Sequence, residues 1–212
     1  MTKIRAAITA VGHYVPETVL TNADMEKIVE TNDEWIKSRT GISERRILTN
    51  GEPMSFMAVE AIKLLLERRK ITADDIDLIL VGTVTPDMLF PSTACVIQDK
   101  IGASKAWGFD VLAACSGFIF TLVAGMQFIE SGMYKKVLVV GADKMSTITN
   151  FKDRNTCVLF GDGAGCVLLE PSEDTNVGIM DTIMHVDGKG GKYLNMLGGG
   201  SLNPSSHDTV DK

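Results

Sequence analysis

The sequence predicts an α/β protein, in which helices cover a parallel or mixed β-sheet. Short apolar runs rich in β-branched residues alternate along the chain with longer segments of helical periodicity. This alternation is typical of strand–helix–strand units. One run, residues 76–82, is apolar at nearly every position, as expected for a strand buried on both faces of a sheet.

The first part of the chain predicts one strand and three helices. The strand covers residues 4–11. Thr21 begins a capping-box pattern for a helix that ends near residue 29. Thr31 begins a similar pattern for a second helix, which carries Trp35 and Arg39 and ends before Gly41. The third helix is amphipathic and covers residues 53–69.

The second part continues the alternation and then becomes irregular. It predicts strands at 76–82, 106–113, 137–141 and 165–169, a possible strand at 178–186, helices at 92–101 and 116–131, a tight turn at 161–165, and a loop at 188–212. The helix at 116–131 is apolar nearly all round, which predicts burial. We expect two domains, a first half at 1–172 that carries the nucleophile and an incomplete second half at 173–212.

Composition excludes several functional classes. The chain has 212 residues, enough for one sizeable core. Its formal net charge of −6 disfavours nucleic-acid binding, because phosphate contacts need a basic surface. No apolar run is long enough to span a membrane and no signal peptide is evident, so we expect a cytoplasmic protein. The four cysteines form no CxxC pair, which disfavours a zinc site and favours reduced thiols.

Cys115 is the candidate nucleophile. It lies where a predicted strand ends and a helix begins, between the small residues Ala114 and Gly117. The N-terminus of a helix stabilises a thiolate and can also stabilise an oxyanion. A buried structural cysteine is the alternative interpretation, since unreactive buried cysteines are common.

Five short segments of the sequence resemble the 3-oxoacyl-(acyl-carrier-protein) synthase III family of thiolase-like condensing enzymes, in the same order and spacing. The segments are DEWI at 33–36, RTGI at 39–42, FPSTA at 90–94, AACSGF at 113–118 and FGDGAG at 160–165. The resemblance covers essentially the whole chain. It implies the thiolase-like fold, with one β-α-β-α-β-α-β half, the start of a second half, and a homodimer.

The resemblance also implies roles for individual residues. Cys115 would accept an acyl group from acyl-coenzyme A as a thioester. Trp35 would stack on the adenine of coenzyme A, Arg154 would face the other side of that adenine, and Thr31 and Arg39 would contact the nucleotide. Phe90 would lie at the dimer interface and wall the acyl pocket of the neighbouring subunit. The alternatives are local packing for Trp35, core packing for Phe90, and solvated surface charges for the two arginines.

The implied reaction condenses the acyl group with malonyl-acyl-carrier protein, releases carbon dioxide and starts fatty-acid synthesis. It needs no metal and no tightly bound cofactor. The family's catalytic histidine and asparagine would lie beyond the position of Lys212, so we expect either a truncated chain or a missing half that a separate chain supplies. Full turnover by this chain alone is in doubt in both cases. His13, His185 and His207 do not match that histidine.

Two other functions stay open. One is another thiolase-fold synthase, of the hydroxymethylglutaryl-coenzyme A, quinolone or polyketide type. The other is an inactive coenzyme A-binding or dimerisation fragment.

Overall fold

The computed structural model describes residues 4–210, which divide into a larger compact unit that ends at Met180 and a smaller one that begins at Asp181. The larger unit contains a mixed five-stranded sheet in the order β1-β7-β6-β4-β5. Strands β5, β4 and β6 are parallel, whereas β7 is antiparallel to both β6 and β1. The predicted α/β class is therefore confirmed. The five strands are β1 (Arg5–Tyr14), β4 (Leu78–Gly82), β5 (Trp107–Val111), β6 (Val137–Lys144) and β7 (Asp162–Ser172).

Helices cover both faces of this sheet. Successive side chains of a strand point to opposite faces. In β4, Ile79 and Val81 therefore pack in the core beneath α3 and α4, while Leu78 and Leu80 pack in the core beneath α5. All five residues of β4 are buried, as predicted. The helices are α3 (Met54–Arg69), α4 (Thr93–Ile101) and α5 (Gly117–Glu130).

A second, two-stranded sheet lies beside two short helices. Strand β2 (Val19–Thr21) pairs with β3 (Glu44–Arg46), and between them come α1 (Asn22–Met25) and α2 (Asp33–Thr40). The predicted cap of α1 at Thr21 is present. Helix α2 is capped by Asn32, one residue after the predicted Thr31, because the Asn32 side chain accepts a hydrogen bond from the Trp35 N–H at 2.7 Å. Helix α1 ends earlier than predicted, because the chain turns after it and the Glu26 carboxylate accepts a hydrogen bond from the Asp33 N–H at 2.9 Å. Three-residue strands show no readable periodicity, which is why this sheet was missed.

Three other predictions were wrong in detail. Residues 162–165 begin strand β7 and form no tight turn, because β6 pairs with all four and β1 pairs with Ala164 and Gly165. No strand covers 178–186, where Ile179 only donates one backbone hydrogen bond to Ala6. Helix α5 is only partly buried, since one stripe of it packs on the sheet while Ile119 remains 46% exposed.

The smaller unit is mostly irregular. It contains a short 3-10 helix at Gly188–Lys192 and one helical turn, α6 (His207–Val210). The loop predicted for 188–212 agrees with this, apart from its last two residues, which lie outside the described range. The domain boundary after residue 172 remains a prediction. Within residues 4–210, no helix is both long and apolar enough to cross a membrane.

Candidate functional site

Cys115 lies on the turn that joins β5 to α5. The turn is a single 3-10 turn at Ala114–Ser116, and α5 begins at the next residue, Gly117. Ala114 has a φ of 46°, a left-handed conformation that costs energy for a residue with a side chain and that is found preferentially at functional turns. The Cys115 side chain is exposed, so the interpretation as a buried structural cysteine is wrong.

An open cavity of about 530 Å³ lies in front of this cysteine. We call it the Cys115 cavity. Six of its lining residues are glycines, so backbone forms much of its wall. The lining residues are Val11, Gly12, Gly82, Ala114, Cys115, Phe118, Gly141, Ala142, Asp143, Gly161, Gly163, Gly165, Cys166 and Val167.

Close backbone packing sets the position of Cys115. A Cβ atom added to Gly82, the last residue of β4, would lie only 2.6 Å from the carbonyl carbon of Gly117. The first turn of α5 therefore rests directly on the end of β4. This places the cysteine at the carboxyl edge of the parallel strands, where ligand sites of α/β sheets commonly lie.

Asp143 fixes the segment that leaves β4 beside the cavity. Its Oδ1 atom accepts hydrogen bonds from the Thr83 hydroxyl at 2.9 Å, from the Val84 N–H at 2.8 Å, and from the N–H and hydroxyl of Thr85 at 3.1 and 2.8 Å. Because one carboxylate oxygen holds three consecutive residues, the chain beyond Gly82 has a defined path.

Two further aspartates hold neighbouring segments. Asp110 accepts hydrogen bonds from the N–H groups of Thr93 and Ala94, at 2.5 and 2.8 Å, and so joins the start of α4 to β5. Asp162 accepts bonds from the Leu48 N–H at 2.7 Å and from the N–H and hydroxyl of Ser146 at 2.8 and 2.7 Å. Sequence reasoning missed all three aspartates. The sequence feature that could have identified them is their position near the ends of strands, because polar groups at these positions come together at one edge of a sheet.

The other cysteines differ from Cys115. Cys166 also lines the cavity, but it is buried, and burial raises the pKa of its thiol to about 12. Burial, followed by the nearby Asp153 carboxylate, raises the pKa of Cys157. Both thiols are therefore protonated near neutral pH. Cys95 is exposed, on helix α4.

Trp35 and two arginines form a second group, which we call the Trp35 cluster. The guanidinium carbons of Arg39 and Arg154 lie 5.0 and 4.6 Å from the centroid of the indole ring. Thr31 precedes α2 by two residues. Its hydroxyl and the Arg154 Nε are buried and have no hydrogen-bond partner within the described part of the chain. The structure thus brings the predicted arginines to the indole, and their predicted roles toward a nucleotide remain predictions.

Phe90 lies on the segment between β4 and α4 and is 83% exposed. Core packing is therefore not its role within this chain. Leu89 beside it is equally exposed, at 84%. The predicted place of Phe90 in a dimer interface remains a prediction.

The histidines and acidic residues provide no metal site in the described structure. His13 lies on β1, and no histidine is among the residues that line the Cys115 cavity. Between residues 4 and 210, no three His, Cys, Asp or Glu side chains are grouped closely enough to hold a metal ion.

Comparison with known proteins identifies the class and then the family. The mixed sheet with helices on both faces matches solved structures of the thiolase-like class, among them 3-oxoacyl-[acyl-carrier-protein] synthase III from Aquifex aeolicus VF5. That match has a TM-score of 0.78 and 49% identity, and covers 80% of this chain and 55% of the other. The priming β-ketosynthase of the R1128 polyketide pathway matches with a TM-score of 0.77 and 36% identity, over 79% of this chain and 50% of the other.

Sequence relatives give the same result. The family model for 3-oxoacyl-[acyl-carrier-protein (ACP)] synthase III matches residues 109–188. The β-ketoacyl-[acyl-carrier-protein] synthase III of Koribacter versatilis strain Ellin345 is 58% identical over 214 aligned residues, which cover 100% of this chain and 64% of the relative. Over its whole length the chain is therefore similar to proteins of the 3-oxoacyl-(acyl-carrier-protein) synthase III family. It spans a little under two thirds of the length of the curated relatives that it matches.

Proposed function

We propose that this chain carries the acyl-accepting site of a 3-oxoacyl-(acyl-carrier-protein) synthase III. The exposed Cys115, at the start of α5 and open to a glycine-lined cavity, is the observation that carries the proposal. The Cys115 thiolate attacks the thioester carbonyl of acyl-coenzyme A. A new C–S bond forms to the cysteine, the bond to coenzyme A breaks, and coenzyme A leaves as a thiolate that takes up a proton.

The geometry suits this step in two ways. The aligned peptide dipoles of α5 end close to Cys115, where they stabilise the negative charge on the tetrahedral intermediate. Glycines at 82, 141, 161, 163 and 165 make backbone part of the cavity wall, so an extended thioester can approach the backbone there.

The Trp35 cluster would bind the nucleotide end of the acyl donor. An indole stacks well on adenine, and a guanidinium either stacks on an aromatic face or pairs with phosphate. We assign Trp35 to stacking on the adenine, Arg154 to its other face, and Arg39 and Thr31 to the nucleotide. The guanidinium carbons of Arg39 and Arg154 lie 5.0 and 4.6 Å from the indole centroid, so the three side chains share one site. Because Arg154 contacts the indole directly, it would have to move outward for an adenine to enter between them.

Condensation would follow acylation. Malonyl-acyl-carrier protein would lose carbon dioxide, and the resulting enolate would attack the acyl-cysteine to give 3-oxoacyl-acyl-carrier protein, the first condensation of fatty-acid synthesis. We propose that this occurs in the cytoplasm, in a homodimer to which Phe90 contributes, and without a metal or tightly bound cofactor. Among these steps, acylation is the one that the Cys115 cavity supports directly, because the cavity holds the thiol that accepts the acyl group. None of its lining residues is a histidine, the residue that the later steps would need.

A second candidate is priming of a polyketide chain. The similarity to the R1128 priming β-ketosynthase favours it. This enzyme would use the same acylation step, so the condensed product distinguishes the two candidates. Product analysis with a malonyl-acyl-carrier protein from each pathway would show which one is accepted.

Intact mass after incubation with acetyl-coenzyme A tests the proposal. We expect one acetyl group on the native chain, none on Cys115→Ala, and one on Cys95→Ala, which removes the other exposed thiol as a matched control. An acetyl group that persists in Cys115→Ala and disappears in Cys95→Ala would refute the assignment of Cys115. An absence of acetylation in all three proteins would refute the proposed function of this chain.

A further inference from the structure

Arg45, on β3, is a buried cation bound only to neutral groups. Arg45 as a whole residue is only 5% exposed. It donates from Nη1 to the Leu20 carbonyl at 3.2 Å, and from Nη2 to Asn22 Oδ1 at 2.9 Å and to the Val158 carbonyl at 3.2 Å. Its Nε atom has no partner, and no carboxylate of residues 4–210 forms an ion pair with it.

Such an arrangement lowers the stability of the fold, so we expect it only where the geometry of its hydrogen bonds has a role. A guanidinium loses its hydration when it is buried, and neutral acceptors replace that hydration less well than a carboxylate would. An apolar side chain of similar volume would fill the space without this cost. What Arg45 adds is a rigid fork of donors that joins three separate chain segments.

One branch of this fork leads to the Trp35 cluster. Asn22, which is 2% exposed, accepts from Arg45 and donates from Nδ2 to Asp33 Oδ1 at 2.8 Å and to the Ile42 carbonyl at 2.9 Å. Asp33 is the first residue of α2, and Ile42 follows its last turn. Asn22 therefore holds both ends of the helix that carries Trp35, and Arg45 holds Asn22.

The other branch leads to the Cys115 cavity. Val158 is buried in the apolar core under Trp35, and Gly161, three residues later, lines the cavity. A Cβ atom added to Gly161 would lie 3.1 Å from the Arg45 Cβ and 2.9 Å from the Arg46 carbonyl. Arg45 thus lies against the cavity wall at Gly161 through its Cβ atom, and its guanidinium is linked to the helix of the Trp35 cluster through Asn22.

We infer that Arg45 is a positioning residue that sets the Trp35 cluster in register with the wall of the Cys115 cavity, so that one acyl-coenzyme A molecule can reach both. The inference rests on the proposed function for the identity of this ligand. Arg45 itself is buried and does not touch the ligand. Arg45 instead affects how tightly the adenine end of acyl-coenzyme A binds when the thioester end of the same molecule lies at Cys115.

Two measurements on the full chain test this role. The first is the affinity for coenzyme A and for adenosine 3′,5′-bisphosphate, by calorimetry. The second is the rate of Cys115 alkylation by iodoacetamide, which needs no nucleotide. For Arg45→Met we expect about tenfold weaker binding of both ligands and an alkylation rate within about twofold of the native rate, because small displacements of binding groups are costly. Arg45→Lys keeps the charge but not the fork, and should recover only part of the affinity.

Matched variants keep the test decisive. Arg46→Met removes the neighbouring, partly exposed arginine and should bind both ligands as the native chain does. Asp33→Ala breaks the same network at its surface end, so it reports on the network even if Arg45→Met does not fold. We expect it to weaken binding in the same direction and to a smaller extent.

The outcomes separate the inference from the proposed function. Native affinity in folded Arg45→Met, or in Asp33→Ala when Arg45→Met is unfolded, would overturn the positioning role. Failure of acetyl-coenzyme A to acylate the native chain would refute the function, whatever the variants bind. Equal loss of ligand affinity and alkylation rate in Arg45→Met would show a general structural role and would also overturn the inference.

Discussion

The Cys115 cavity and the Trp35 cluster are built in different ways. The cavity lies at the edge of the main sheet, and much of its wall is backbone from strands that pair on both sides. In the cluster, Trp35 and Arg39 lie on a short helix outside the main sheet and Arg154 lies on the segment between β6 and β7. Hydrogen bonds from Asn22 hold that helix, and Arg45 in turn holds Asn22. The position of the thiol thus depends on steric contacts and sheet pairing, whereas the position of the indole depends on a few polar contacts. Thiol reactivity and nucleotide binding should therefore be separable by substitution.

The largest expected contrast lies within the cavity, between Cys115 and Cys166. With a pKa of about 12, Cys166 has about one thiolate in 10⁴ molecules at pH 8, and it is also buried. We expect iodoacetamide at pH 8 to modify Cys115 and the exposed Cys95 at least about 10³-fold faster than Cys166. Peptide mass mapping over time measures the rates. All four cysteines should react in denaturant, and fast labelling of Cys166 in the native chain would contradict the structure.

Gly82→Ala should disturb the cavity and leave the cluster intact. The added methyl group would overlap the backbone of Gly117, so the start of α5 has to move. We expect the free energy of unfolding to fall by about 2 kcal/mol and Cys115 alkylation to slow, with no change in the affinity for adenosine 3′,5′-bisphosphate. Urea unfolding and alkylation rates measure these effects. Gly188→Ala, where the methyl group meets open space, is the matched control. Unchanged stability and reactivity in Gly82→Ala would show that this contact does not constrain α5.

Trp35→Ala should have the opposite pattern. Loss of an aromatic stacking partner typically costs about 1–3 kcal/mol per base, so we expect roughly tenfold weaker binding of coenzyme A with an unchanged rate of Cys115 alkylation. Calorimetry measures the affinity. Trp107→Phe, on β5, removes the other indole of the chain and should leave the affinity unchanged. Equal effects of the two substitutions would remove Trp35 from the proposed nucleotide site.

Glu170→Gln should alter stability slightly and neither site. Burial raises the pKa of Glu170, but hydrogen bonds from Arg69 at 2.7 Å and Thr9 at 2.5 Å outweigh burial and lower it below 4.5. A carboxylate with a lowered pKa stabilises the fold above its unfolded pKa, and this stability is lost as the pH falls through the folded value. We expect the variant to lose about 1 kcal/mol at pH 7, a low value because Arg69 is 40% exposed.

Urea unfolding of native, Glu170→Gln and Glu173→Gln chains at pH 7 and pH 3.5 checks this prediction. The difference between native and Glu170→Gln should shrink at the lower pH, because the unfolded carboxylate is then largely protonated and part of the stability that comes from the lowered pKa of the folded group is lost. Glu173 is exposed, so its substitution controls for the loss of one surface charge. A difference that stays constant with pH would show that the carboxylate charge contributes nothing.

The accuracy of the sequence predictions followed the range of the interactions involved. The end of α2 at Gly41 was predicted correctly because a C-cap glycine depends on neighbouring residues, whereas its N-cap was predicted one residue early, at Thr31 instead of Asn32. The start of β7 was predicted as a turn, since a glycine-rich segment has the same local preferences whether or not strands pair with it. Here β6 pairs with all of residues 162–165 and β1 pairs with Ala164 and Gly165, and this pairing overrides the local preference.

The sequence by itself determined the α/β class, the order of the main elements and the place of Cys115 between a strand and a helix, because periodicity and turn residues encode these locally. Only the tertiary structure decided that Cys115 is exposed while Cys166 is buried in the same cavity. It also decided the bridge from Arg45 to Val158, which are 113 residues apart. Contacts at that separation depend on how the sheet orders its strands, and no local pattern of residues records that order.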